Sequence, residues 1–393
     1  MSPPEVRATI ALAAVYGLRM FGMFVILPVF AIYAQQLRGG DDVTMVGIAI
    51  GAYGLTQAVL QIPFGWLSDR YGRKPVIYCG LLLFAAGSFY AAAADSIHGV
   101  IVGRMLQGAG AISSAVIALT ADLTSDRNRT KAMALIGSTI GLTFALSLVV
   151  SPWLNHLIGV PGIFALTGVL ALMAIAFVHS VVPAAPPLQV RVAGGSSSLL
   201  RLALNPQLAR LNLGIFTMHA VLMALFIVVP LALRDDGLAV DHHWQIYLPV
   251  MLFAFLPMWP ALIMAERKGR VKAVLIGAVG TLLVAQMAMS WLLGSTASIV
   301  GFLLVFFSAF NVLEAILPSL TSRMAPPEAK GAAAGIFSSI QFLGTFVGAA
   351  CGGFLYHRYG AVGSIAFGGL LLLAWLSLAL TMQAPRTLRA APA

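Results

Sequence analysis

The sequence predicts an all-α membrane protein with twelve transmembrane helices in two six-helix bundles, and three observations lead to this prediction. Of the 393 residues, 60% are hydrophobic and 9% are charged, whereas a soluble domain has ~25% charged residues. Twelve apolar runs are each long enough to cross a bilayer, which takes roughly 20 residues. A charged loop also recurs about half a chain later, as expected for repeated halves.

The apolar runs divide the chain into two sets of six. They cover about residues 9–33, 44–68, 75–94, 98–122, 131–154, 160–182, 210–233, 244–265, 271–294, 298–321, 330–355 and 361–382. Residues 183–209 begin with a stretch rich in proline, glycine and serine, which is typical of a flexible linker. We therefore predict a first bundle over residues 1–182, a linker over 183–209 and a second bundle over 210–393.

The basic residues predict which way the helices cross the membrane. An even number of spans places both termini on one side. If that side is the cytoplasm, 18 of the 23 lysines and arginines fall in cytoplasmic segments, which is the positive-inside pattern. This pattern accounts for the net charge of +10 without a nucleic-acid partner.

Several classes of function lack their sequence features. Cys79 and Cys351 both lie in predicted helices and belong to no metal-binding motif. The chain has no phosphate-binding loop of the Walker type and no recognisable pairing of a nucleophile with a base. We expect no cofactor, no metal site and no enzyme activity.

The charged loop between the second and third runs is the most distinctive stretch of the chain. Its spacing is G-x-x-x-D-x-x-G-R-K, formed by Gly65, Asp69, Gly72, Arg73 and Lys74. The positive-inside rule accounts for Arg73 and Lys74 but not for Gly65 or Asp69. Asp122, at the end of the fourth run, is placed to pair with Arg73 and hold this loop in one conformation.

A degenerate copy of the loop lies 197 residues further on. Asp69, Gly72 and Arg73 correspond to Glu266, Gly269 and Arg270. The copy lacks the leading glycine, because Leu262 stands opposite Gly65.

Three charged residues lie inside predicted spans, where a charge is costly unless it faces a polar interior. Arg19 is a cavity cation, the partner in a structural ion pair or a snorkelling side chain. Arg104 is either functional or bonded to neighbouring carbonyl groups. Glu314, the one carboxylate deep in a run, exchanges protons, pairs permanently with a buried arginine or serves only in helix packing.

Polar uncharged residues complete the candidate cavity. Gln57 and Gln61 lie four residues apart on one helical face, where they line a cavity or bond between helices. Asn311 lies one turn from Glu314, and Gln341 is assigned to the same cavity. His219, the histidine that lies well inside a span, either carries a proton or is only hydrogen-bonded.

The loop and the piece Arg104–Gly110, with the spacing R-x-x-Q-G-x-G, resemble two signatures of the major facilitator superfamily. Longer pieces look like the YajR-type bacterial inner-membrane transporters of that superfamily. These pieces include "GIAIGAYGLTQAVLQIPFGWLSDRYGRKP" and "NVLEAILPSL". The resemblance implies proton-driven efflux from the bacterial inner membrane and links Arg104 to proton coupling. It does not extend to the carboxy-terminal soluble domain of the best-known member, so regulation through that domain is not expected.

The resemblance and the candidate residues together predict a secondary transporter. We expect proton-coupled efflux (antiport) of small, including lipophilic, solutes by alternating access, carried out by a monomer in the lipid bilayer with protons and a small-molecule substrate as partners. Ser151-Pro152 matches the antiporter signature only in part, so the direction of coupling stays open. One alternative is a facilitator or symporter of an anionic metabolite, with Arg19 and Arg104 as substrate clamps. Another is a membrane sensor that does not transport.

Overall fold

The computed structural model describes residues 1–183, 201–266, 269–292, 294–326 and 329–382. Most of the predicted linker, residues 184–200, lies outside the described residues. So do five of the basic residues that the sequence assigns to the cytoplasmic side: Arg191, Arg267, Lys268, Arg386 and Arg389.

Helices make up nearly all regular structure of the described residues, as expected where lipid leaves backbone polar groups no other partner. The α-helices whose bounds the structure gives are α1 (Pro3–Phe24), α2 (Leu27–Tyr33), α3 (Val43–Tyr71), α4 (Arg73–Ala92), α5 (Ile97–Ala109), α6 (Ser113–Asp122), α7 (Asp126–Val181), α8 (Pro206–Asp235), α9 (Trp244–Ala254), α10 (Met258–Glu266), α11 (Val271–Leu292), α12 (Thr296–Met324) and α13 (Lys330–Leu380). Short 3₁₀ turns cover Ala34–Gln36 and Val240–His242.

Two of the helical stretches are long enough to cross a membrane twice. The apolar stretches Lys131–Val181 in α7 and Lys330–Leu380 in α13 each contain 51 residues. At the rise of an α-helix each would extend about 76 Å, more than twice the ~30 Å hydrocarbon core. Each is interrupted at a glycine with a φ of 66°, Gly159 and Gly360, a conformation that glycine adopts readily. The ten candidate spans of the described residues thus account for the twelve predicted crossings.

Three of the predicted runs are interrupted. The first run is interrupted between α1 and α2, where Pro28 occupies the first turn of α2. The fourth run is interrupted at Gly110–Ile112, between α5 and α6. The eighth run, whose prolines predicted bends, is interrupted at Phe255–Pro257 between α9 and α10. The break at Gly110 is important for the site, because it frees a carbonyl group for a side chain.

The bundle has two ends, which we name by the residues they carry. The loop face carries the Gly65–Lys74 loop and the start of α1. Glu5 there accepts hydrogen bonds from the Ser125 backbone N–H (2.8 Å) and from Asn128 Nδ2 (3.0 Å). The far face carries the opposite ends of the helices, where Arg38 is paired with Asp95 at 2.6 Å.

Glycines let α13 pack closely against two helices at once. Gly47, Gly51 and Gly54 of α3 lie against residues 342–353 of α13. Gly344 and Gly348 of α13 lie against the backbone of α8, with no room for a side chain. Small residues that allow such backbone contact are typical of membrane helix interfaces.

We expect Gly348→Ala to destabilise the protein, because the added methyl group would meet the Ala220 carbonyl oxygen of α8. Overpacking of this kind costs roughly 1–3 kcal/mol. The matched control is Gly277→Ala in α11, where an added methyl group meets no other atom within 4 Å. Thermal unfolding in detergent should show a lower midpoint for Gly348→Ala and not for Gly277→Ala. Equal midpoints would contradict the tight α8–α13 contact.

Candidate functional site

Arg19 is fully buried in α1 and is held by uncharged groups. Its Nε donates to the Gly110 carbonyl oxygen (3.1 Å), its Nη1 donates to Ser113 Oγ (2.7 Å) and its Nη2 donates to Gln57 Oε1. Gln57 Nε2 in turn donates to Gln61 Oε1 at 2.6 Å. The structure thus brings Arg19, Gln57 and Gln61 together as one hydrogen-bonded group across the break between α5 and α6.

Arg104 forms a second buried group on α5. Its Nη1 donates to Gln107 Oε1 (3.0 Å), and its Nη2 lies 3.4 Å from the Ile50 carbonyl oxygen. Gln107 Nε2 donates to Ser88 Oγ at 2.8 Å. No acidic side chain of the described residues forms an ion pair with Arg19 or Arg104, so both positive charges are stabilised without a counter-ion.

The Tyr53 ring links the two arginines. The guanidinium carbon of Arg19 lies 5.6 Å from the ring centroid and that of Arg104 lies 5.0 Å away, both within the range of cation–π attraction. The ring also contacts Phe342 of α13 at 6.4 Å. Tyr53 therefore connects the buried arginines to the helices that follow the linker.

Glu314 lies in a separate group built by α8, α12 and α13. His219 Nδ1 donates to the Ile215 carbonyl oxygen (3.2 Å), so its Nε2 accepts from Gln341 Nε2 (2.8 Å). Glu314 Oε2 lies 3.9 Å from His219 Nε2 and, although buried, has no hydrogen-bond partner among the described residues. The Glu314 side chain as a whole is 24% exposed, so it is within reach of solvent.

Asn311, on the same helix as Glu314, is also incompletely bonded. Its Nδ2 atom is buried without a hydrogen-bond partner in the described part of the chain. The structure therefore brings three of the predicted residues together: His219 is hydrogen-bonded to Gln341 and lies 3.9 Å from Glu314. No hydrogen bond between described residues joins Asn311 to any of the three.

A cluster of phenylalanine rings lies beside His219 and crosses between helices before and after the linker. The Phe144 ring of α7 is 5.0 Å from Phe24, 6.1 Å from Phe226, 5.8 Å from Phe307 and 6.1 Å from Phe310. Phe310 lies 6.0 Å from the His219 ring. Such packed rings exclude water.

At the loop face, Arg73 is held by three oxygen groups. Its Nε donates to Asp122 Oδ2 at 2.9 Å, which confirms the predicted pairing. Its Nη1 donates to Asp69 Oδ1 and to Ser68 Oγ, the latter at 2.8 Å. The Arg73 side chain is only 10% exposed, so the pair is better shielded than an ordinary surface salt bridge.

The glycines and the lysine of the loop contribute a turn, a packing contact and a hydrogen bond. Gly72 has a φ of 97°, which lets the chain reverse between α3 and α4. Gly65 packs against Ser114, which lies 3.3 Å from the position of an added Cβ. Lys74 Nζ donates to the Val182 carbonyl oxygen at 2.6 Å and so satisfies the end of α7.

The degenerate copy of the loop also contains a glycine with a positive φ. Gly269 has a φ of 64°, the same left-handed region that Gly72 occupies. Two of its charged residues, Arg267 and Lys268, lie outside the described residues.

The far face carries three polar contacts that join helices before and after the linker. Arg234 Nη1 donates to Gln35 Oε1 at 2.6 Å. His156 Nδ1 lies 2.9 Å from Asp241 Oδ2, and His357 Nδ1 lies 3.6 Å from Asp42 Oδ1. These contacts join the two sets of helices at the far face, in addition to the glycine contacts of α3 with α13.

Several site residues were missed by the sequence reasoning. Ser113, Tyr53, Ser88 and Gln107 all contact the buried arginines or their partners. Gln107 lies within the R-x-x-Q-G-x-G piece, so its spacing to Arg104 was an available signal. Ser113 and Tyr53 carry no such signal, because their roles depend on neighbouring helices.

We expect Arg19→Ala to cause a large loss of folded protein, because Ser113 and Gln57 would lose a buried donor, whereas the Gly110 carbonyl would keep the Ile112 backbone N–H as a donor. Unsatisfied buried groups cost about 1–3 kcal/mol each. Arg19→Lys should rescue only part of the loss, since one ammonium group does not have the guanidinium fork. The control is Arg38→Ala, an exposed arginine paired with Asp95. Thermal unfolding measures both effects, and a stable Arg19→Ala variant would contradict the structural role.

Comparisons with known proteins agree with this arrangement. Residues 12–349 match the family described as the Major Facilitator Superfamily. The chain is 44% identical to the inner membrane transport protein YajR of Escherichia coli (strain K12), over 98% of this chain and 85% of that protein. It is 34% identical to the multidrug resistance protein MdtL of Klebsiella pneumoniae (strain 342), over 32% of this chain and 31% of that protein.

The fold also matches a solved transporter structure. It resembles a bacterial homologue of the human lysosomal transporter Spinster in an inward-facing and occupied conformation, with a TM-score of 0.78, 14% sequence identity and full coverage of both chains. The family match spans well over half of the chain, and the similarity to YajR spans nearly all of it. This multi-pass, all-α membrane protein therefore belongs to the major facilitator superfamily of transporters.

Proposed function

We propose that this transporter exports small, including lipophilic, solutes in exchange for protons, by alternating access across a bacterial inner membrane. The observation that carries the proposal is Glu314, a partly exposed carboxylate whose Oε2 atom is buried and has no hydrogen-bond partner among the described residues. A carboxyl group in this position can be neutral or charged as the cavity changes, which is the requirement for a proton carrier.

The neighbours of Glu314 support a role in proton transfer. The Nε2 atom of His219 lies 3.9 Å from Glu314 Oε2, and the same Nε2 atom accepts the hydrogen bond from Gln341. A small rotation of these side chains would let a proton on Glu314 reach His219. In the proposal, Arg104 completes the proton-coupling group as a fixed positive charge, and Arg19, Gln57, Gln61, Asn311 and Gln341 border the solute cavity when it opens.

The relatives and the charge distribution support the orientation and the place in the cell. YajR is an inner membrane protein, and the positive-inside pattern puts the loop face and both termini in the cytoplasm. In this orientation, the far-face contacts close the outer side. We keep the proposed bundles at residues 1–182 and 210–393, the linker at 183–209 and a monomer as the working unit.

Alternating access would then exchange two sets of contacts. The far-face contacts and the Phe144 cluster separate when the outer side opens. At the cytoplasmic side, the conformational switch formed by Gly65, Asp69, Gly72, Arg73, Lys74 and Asp122 stabilises the outward-facing state. The ion pairs of Arg73 with Asp69 and Asp122 are already formed within the first set of helices. To reach the outward-facing state, the second set then has only to approach this loop.

One proton supplies enough free energy for useful export. Moving down 100 mV and one pH unit, it releases about 3.7 kcal/mol. This supports a solute gradient on the order of several hundred-fold. The name of MdtL, a multidrug resistance protein, supports efflux as the direction of transport.

Transport of an anionic metabolite is the less favoured alternative. An anion clamp needs arginine donors that face the solute, but three donors of Arg19 are already bound to uncharged groups. A membrane sensor that binds solute without flux is the other alternative. The experiments on Glu314 and Asp69 separate these alternatives, because both measure flux.

We expect Glu314→Gln to abolish proton-coupled transport, because a glutamine side chain cannot take up a proton. Accumulation of a panel of lipophilic cations and small anions would be measured in energised inverted membrane vesicles, with and without an uncoupler. Wild-type accumulation should collapse with the uncoupler. Glu314→Asp is the matched control and should keep part of the coupled flux.

Three outcomes of this experiment would contradict the proposal. Uncoupler-sensitive accumulation by Glu314→Gln would remove Glu314 as the proton carrier. Wild-type flux that only equilibrates and ignores the uncoupler would indicate a facilitator. Solute binding without flux would indicate the sensor.

We expect Asp69→Asn to lower the transport rate by tenfold or more while the protein still inserts and folds. The change removes one charge from the Arg73 pair and so weakens the switch. The control is Asp95→Asn at the far face, which also removes a carboxylate from a pair with an arginine, Arg38. The hydrogen bond from Arg38 lowers the pKa of Asp95, so this carboxylate is charged before the substitution. Rates would be measured in the same vesicles, and near-normal transport by Asp69→Asn would exclude the switch role.

A further inference from the structure

A second cavity lies at the far face, away from the buried arginines and Glu314. Its volume is about 610 Å³, within the ~300–1,000 Å³ typical of ligand sites. Its walls are the end of α2 and the following turn, residues 29–36; the segment 155–161 of α7; and Val240–Asp241 after α8. Residues from both sides of the linker thus enclose one space.

The chemistry of the walls selects the charge of a ligand. Valine, isoleucine and proline side chains make up most of the lining, and Tyr33 adds an aromatic ring. Gln36 and Asn155 are the uncharged polar groups, and Asp241 is the one charged residue among the lining residues. A single carboxylate in a mainly apolar space attracts a positive group and disfavours a negative one.

Asp241 is also accessible to a ligand. Its side chain is 44% exposed, and its recorded partner is His156, whose Nδ1 lies 2.9 Å from Oδ2. The second oxygen, Oδ1, takes part in no hydrogen bond between described residues. A cation can therefore reach the carboxylate without first breaking a buried ion pair.

We propose that the far-face cavity binds a small organic cation with an apolar or aromatic body, whose charged group contacts Asp241. Quaternary ammonium groups also favour aromatic rings, and Tyr33 supplies one. Because Asp241 follows α8 and the other walls precede the linker, the ligand bridges the two sets of helices. It stabilises the arrangement in which the far face is closed, and it therefore inhibits transport when added on that side.

The test measures binding of benzyltrimethylammonium to the purified full-length chain by calorimetry. Wild type binds this cation, and the neutral analogue N,N-dimethylbenzamide binds at least tenfold more weakly. Asp241→Asn weakens binding of the cation at least tenfold. The matched control is Asp235→Asn, which removes a nearby exposed carboxylate that is held by Arg234 and does not line the cavity; binding is unchanged in this variant.

Three results would overturn the proposal. Equal affinity of wild type and Asp241→Asn would exclude the carboxylate as the anchor. Equal affinity for the cation and the neutral amide would exclude selection by charge. Loss of binding in Glu314→Gln but not in Asp241→Asn would assign the cation to the central cavity. Each result is independent of whether transport is coupled to protons.

Discussion

The buried guanidinium of Arg19 is the interaction on which the arrangement of the first helices depends. A positive charge at this depth needs several acceptors, and it finds one of them where the fourth run is broken at Gly110. The break leaves backbone groups without helical partners, and in lipid these must be satisfied within the protein. The Arg19 side chain therefore obtains acceptors for its own charge and supplies a donor to the broken helix. It also ties α1 to α3 and to the start of α6.

The two sets of helices hold their charges in different ways. In the first set Arg19 and Arg104 are stabilised by carbonyl, hydroxyl and amide groups, together with the Tyr53 ring. In the second set the Glu314 carboxylate has an oxygen without a partner, close to a histidine that is already bonded. The first group is therefore suited to a fixed charge, whereas the second is suited to a charge that changes.

The contacts at the two faces are suited to reversible motion. The far-face pairs join the two sets of helices, whereas the Arg73 pairs lie within the first set. Exposed ion pairs contribute roughly 0–1 kcal/mol each, so a few of them can be broken and reformed during a transport cycle. The close glycine contacts between α8 and α13 have no such freedom, and they keep the second set together as it moves.

The sequence by itself determined the number of crossings, the charged loop and its partner Asp122, and the set of candidate charges, because the bilayer demands long apolar helices and makes every intramembrane charge conspicuous. The tertiary structure decided the break at Gly110, the position of Tyr53 between two arginines, the bond from Lys74 to Val182 and the cavity beside Asp241. Each of these depends on which carbonyl or ring a neighbouring helix presents. Hydropathy and spacing describe one helix at a time and carry no information about that neighbour.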